Sequence, residues 1–80
     1  MLKDFKIKSK KDVREFFSYL INELKIDIHP DDDFKEYVNI KTGVAMFTSD
    51  EALKLNCLMD KCFVVAGDDV YKICGEVKNI

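Results

Sequence analysis

Residues 4–8, DFKIK, alternate polar and apolar side chains, so that Phe5 and Ile7 fall on one side of an extended chain and Asp4, Lys6 and Lys8 on the other. A period of two predicts a half-buried strand. The period then changes. Ser9 stands where an N-cap belongs, and Asp12 lies in the first turn, where the helix dipole favours negative charge. Val13, Phe16, Phe17, Leu20, Ile21 and Leu24 follow at spacings of three and four. They predict an amphipathic helix that ends near Lys25 or Ile26.

Residues 37–47, YVNIKTGVAMF, read as a hairpin: Asn39 can bond its own backbone, and Gly43 can take the left-handed conformation that closes a type I turn with a bulge. Thr48 and Glu51 have the spacing of a capping box, with Phe47 placed to begin a hydrophobic staple. The helix they open runs to about Ala66, where Gly67 stops it. Residues 70–77, VYKICGEV, carry two patterns. Val70, Ile73, Cys74 and Val77 suit a short helix, whereas Tyr71, Ile73 and Val77 alternating with polar neighbours suit a strand. The β-branched content favours the strand.

The predicted order is β-α-β-β-α-β over a single domain, residues 1–80. That is an α+β fold: two amphipathic helices on one face of a small antiparallel sheet, as in ferredoxin-like folds. A helical pair with only a hairpin attached is the rival arrangement.

Composition narrows the function more than the fold. Nearly half of the residues are hydrophobic and about a third are charged, the balance of a soluble globular domain. No apolar run is long enough to span a bilayer, and Asp4 and the lysines interrupt any signal-peptide core, so a cytoplasmic location is expected. Three cysteines, an odd number, suit reduced thiols in such a compartment. Residues 1–14 concentrate Lys3, Lys6, Lys8, Lys10, Lys11 and Arg14, while the remainder is net acidic.

The chain's only His and only Pro sit with three consecutive Asp residues in IHPDDDFKEY, residues 28–37. Asp27, His29, Asp31 and Asp33 alternate as early calcium-loop ligands do, but Asp32 occupies the position that needs Gly and Val38 the position that needs Glu. One His is too few for a usual zinc or iron site. A histidine beside carboxylates is a residue type suited to proton transfer, yet Ser18, Ser49 and Thr42 have no nucleophile context, and Ser9 and Thr48 serve as caps. Turn chemistry accounts for the segment best: Pro30 fixes φ, Asp33 and Glu36 have capping-box spacing, and Phe34, Tyr37 and Val38 supply an anchor. The sequence therefore predicts no enzyme, no metal and no cofactor.

Cys57 and Cys62 are five apart on the second helix, about 140° around its axis, and cannot face one ion. Cys62 falls on the broad core face with Ala52, Leu55, Leu58, Met59, Phe63, Val65 and Ala66. Leu53, Cys57 and Val64 form a second, narrower stripe, flanked by Asn56 and Asp60 on one edge and Lys54 and Lys61 on the other. The C-terminal segment could cover this stripe, or it could be a modest exposed patch. The third reading is a partner surface, including a twofold homodimer. A competing candidate is a basic sheet face in which Lys6, Lys8 and Lys72, with Tyr37, would contact nucleic acid. The aromatic-rich strand motif of ferredoxin-like RNA-binding modules is missing from GVAMF, and the chain's net charge is −2.

Through FFSYLINEL, HPDDDF, YVNIKTG and FTSDEALKLNCLMDKCF, the chain resembles a group of small uncharacterised bacterial proteins from gut anaerobes. The resemblance covers most of the length and implies a bacterial cytoplasmic setting. It assigns no functional residue. The function expected is a small non-catalytic protein-interaction module that meets a protein partner or a second copy of itself through the second helix. Weak nucleic-acid binding is the alternative.

Overall fold

A computed structural model describes residues 4–38, 41–42 and 45–79, and it is all-α. Three helices, α1 (Lys10–Ser18), α2 (Ser49–Ala66) and α3 (Asp69–Lys78), close around one apolar core, with α1 packed on both of the others. The described residues do not form the predicted α+β sheet. Among the described residues, the only β ladder pairs β1 (Lys41–Thr42) with β2 (Ala45–Met46), and one isolated bridge joins Val38 to Phe47. Two residues per strand form no layer, so the hairpin expected over 37–47 is a short appendage to a helical body. Its turn residues Gly43 and Val44, and Asn39 with Ile40, lie outside the described residues.

The segment read as a first strand belongs to neither strand of the described ladder. Ile7 is buried, Phe5 half-buried, and Asp4, Lys6 and Lys8 are exposed. Phe5 meets Phe16 edge-on at 5.4 Å between ring centroids, and Asp4 pairs with Lys54 of α2. The segment is a strap across the helices. Alternation records which side faces a core; it does not require a hydrogen-bonded neighbour.

The segment read as a last strand is α3. Val70, Ile73, Cys74 and Val77 are all buried on one side, and Lys72 and Glu76 point outward. Only helical periodicity places all four apolar side chains together. Gly75 lies inside this helix, and a methyl group added there would meet nothing within 4 Å. Gly75→Ala is therefore expected to stabilise the fold by about 0.5–1 kcal/mol in urea denaturation, because alanine restricts the unfolded chain and favours helix. A loss of stability would contradict this placement.

Helices α1 and α2 both begin with reciprocal capping boxes. Asp12 N–H donates to Ser9 and Ser9 N–H to Asp12; Glu51 N–H donates to Thr48 and Thr48 N–H to Glu51. At the far end of α2, Gly67 takes φ 57° and its N–H donates to the Phe63 carbonyl at 2.8 Å. The first helix does not remain α. Tyr19–Glu23 widens into a π turn, and Leu24 N–H reaches back five residues to Tyr19. Lys25 then adopts φ 59°, a left-handed conformation usually filled by Gly or Asn. The wide turn carries Leu24 off the core stripe to a half-buried site, and the reversal buries Ile26 and Ile28.

Candidate functional site

Leu53, Cys57 and Val64 share the outward side of α2, opposite Ala52, Leu55, Met59 and Cys62 in the core. Leu53 is 50% exposed and Val64 is 86% exposed. Cys57 is the exposed thiol; Cys62 and Cys74 are buried. The stripe runs about 16 Å along the helix at 1.5 Å per residue. It is not uniformly apolar: Asp50, Lys54, Asp60 and Lys61 are exposed on the same side. Asp60 falls between Cys57 and Val64 in the three-and-four spacing. Lys54 is held aside by Asp4. Beside Leu53 an open groove of about 470 Å³ is bounded by Val38, Lys35 and Ser49. Its apolar walls and one cation suit a hydrophobic side chain with a polar edge.

The wall carrying Lys35 and Val38 is positioned by the acidic stretch, and each aspartate there has a structural partner. A turn closes where Asp32 N–H donates to the His29 carbonyl at 2.9 Å, with Pro30 at its second position. The Asp32 carboxylate accepts from His29 N–H at 2.9 Å and from the Tyr37 hydroxyl at 2.6 Å. Asp31 accepts from the Tyr71 hydroxyl at 2.6 Å. Asp33 caps the 3-10 turn Phe34–Tyr37 through Lys35 N–H. That contact, and then the Asn56 amide, hold its carboxyl below the usual carboxylate range. Asn56 of α2 clasps this turn twice: its Oδ1 accepts from Phe34 N–H at 3.0 Å and its Nδ2 donates to Asp33 at 2.9 Å.

His29 is exposed; its Nδ1 accepts from Asp31 N–H at 3.2 Å, and its ring lies 6.0 Å from that of Tyr71. Among the described residues no Ser, Thr or Cys side chain hydrogen-bonds to it, and no three His, Cys, Asp or Glu side chains converge as metal ligands would. The arrangement organises a loop. Neither a nucleophile–base pair nor a ligand shell is assembled there.

The nucleic-acid surface composed of Lys6, Lys8 and Lys72 has no platform, because the described residues form no sheet face that could gather them. Lys6 and Lys8 lie on the strap, Lys72 on the exposed side of α3, and Tyr37 in the 3-10 turn bound to Asp32. The fold instead brings Lys72 to Lys10, Lys11 and Arg14 across a groove between α1 and α3. The cluster at 10–14 was visible in the sequence. Its fourth member required residues 70–77 to be helical.

No helix among the described residues is long and apolar enough to cross a membrane. No protein-family model matches the chain, and neither the curated proteins nor the solved structures include a significant match to it.

Proposed function

We propose that this protein is a small non-catalytic interaction module of the bacterial cytoplasm that associates with a second copy of itself through the outward side of α2. The supporting observation is the exposure of Leu53 and Val64, two large apolar side chains on an eighteen-residue helix whose other face already fills the core. The twofold arrangement places one stripe against its own copy, so each apolar residue is covered without a second kind of surface. Asp60 within the stripe keeps the contact weak, since closing the seam removes water from a carboxylate.

Sedimentation equilibrium across a wide concentration range tests this. Leu53→Lys is expected to weaken association roughly tenfold or more, equivalent to about 1.4 kcal/mol. Asp60→Leu completes the apolar spacing and is expected to tighten it by a similar factor. A chain that stays monomeric at millimolar concentration, with and without Asp60→Leu, removes the homodimer.

A further inference from the structure

An open groove of about 410 Å³ runs between α1 and α3, with Lys10, Lys11 and Arg14 on one wall and Asp69, Lys72 and Glu76 on the other. Buried Ile73 contributes its floor. Four cations face two carboxylates here, although the chain as a whole is net negative. Both carboxylates are engaged: Asp69 with Lys10 at 2.6 Å and Glu76 with Arg14 at 2.5 Å. Among the described residues Lys11 and Lys72 hold no ion pair.

These bridges are half-exposed, so they hold Lys10 and Arg14 over the groove without committing them. Exposed ion pairs contribute little to stability and exchange readily for a better acceptor. A phosphate group is such an acceptor. It carries up to two charges, receives a guanidinium through two parallel bonds, and accepts from several ammonium groups at once. The groove's volume matches a small-molecule site. Its lining contains no aromatic ring on which a nucleobase could stack.

We propose that the α1–α3 groove binds a small phosphate-bearing anion, a phosphomonoester or diphosphate, held by Arg14, Lys10, Lys11 and Lys72 with its carbon skeleton over Ile73. The site is independent of the α2 stripe. Binding detaches Arg14 from Glu76 and Lys10 from Asp69, so the two carboxylates act as built-in competitors for the ligand.

NMR titration of the full ¹⁵N-labelled chain tests this, with pyrophosphate, inorganic phosphate and glycerol phosphate as separate probes at moderate salt. Saturable one-to-one shifts confined to residues 10–14 and 69–76 are expected. Tighter binding of glycerol phosphate than of the two inorganic probes identifies an organic phosphomonoester; the reverse identifies a free phosphate or diphosphate. Lys11→Glu with Lys72→Glu should weaken binding roughly tenfold or more, whereas Glu76→Gln, which frees Arg14, should tighten it several-fold. Circular dichroism verifies that each variant remains folded. Shifts that never saturate or that spread to Lys6, Lys8 and Lys54 overturn the site. So does a Glu76→Gln variant that binds no better, or a short oligothymidylate that binds at lower concentration than every small probe.

Discussion

Phe34→Ala is expected to cost about 4 kcal/mol of folding stability, a large share of what an eighty-residue domain possesses. The side chain is fully buried although it lies in the most acidic stretch of the chain. Its ring stands edge-on to Tyr37 at 5.6 Å and to Phe47 at 6.4 Å between centroids. Truncation removes the transfer free energy of a phenyl group and leaves a cavity that the Asn56 clasp and the α2 cap, both anchored nearby, prevent from collapsing. Thermal unfolding should shift by roughly 20 °C, at about 4–8 °C per kcal/mol for a domain of this size. A change below about 1 kcal/mol would mean that the acidic loop rests on the surface and is not built into it. The consequence extends to function, because the same turn supplies Lys35 and Val38 to the groove beside Leu53. A loosened loop should weaken self-association even in the population that stays folded.

The chemistry that makes residues 28–37 look like a ligand site is largely spent on backbone. Three adjacent carboxylates repel one another, and each acquires a separate donor: the Tyr71 hydroxyl for Asp31, the Tyr37 hydroxyl and His29 N–H for Asp32, and Lys35 N–H with the Asn56 amide for Asp33. A cation would have to draw them back together against these bonds. The turn was legible from Pro30 and Asp33. Its clasp was not, since Asn56 appeared in the sequence only as the edge of an apolar stripe, and nothing in the linear pattern reveals an amide that both donates and accepts across 22 residues.

Elements whose signals are local were readable. Ser9 with Asp12, Thr48 with Glu51, and Gly67 fix helix ends through bonds made within four residues, and α1 and α2 begin where those caps predict. The failures involve patterns shared by two structures. Over eight residues, period two and period 3.6 overlap, and the strand reading of 70–77 placed Cys74 with the polar side chains. Cysteine is among the most buried residue types; counted as apolar, it makes the spacing 70, 73, 74, 77 that of a helix. The strap at 4–8 failed differently. Its exposure pattern was right, and the inferred neighbour was wrong. Together the two errors produced a sheet, and the sheet produced a basic face from Lys6, Lys8 and Lys72. The outward stripe of α2 needed no sheet. Its exposure follows from one helix having more apolar circumference than two neighbouring helices cover.

Above about pH 9 the fold is expected to lose stability steeply, with Cys62 as a principal cause. Burial in the core pushes its thiol from 9.0 up to about 12, because no charge or donor is there to solvate a thiolate. The unfolded chain releases this proton first, so between these values the unfolded state binds fewer protons and gains on the native state as pH rises. The contribution is fully present below about 9, declines by up to about 1.4 kcal/mol per pH unit, and amounts to about 4 kcal/mol in total. Cys74, raised chiefly by burial, and Tyr37, raised by burial and by its bond to Asp32, act in the same direction. Urea midpoints measured from neutral pH upward should therefore fall in the wild type and fall less steeply in Cys62→Ala, which loses the thiol but keeps the helix. Parallel slopes in the two proteins would contradict the burial of Cys62 on the core face of α2.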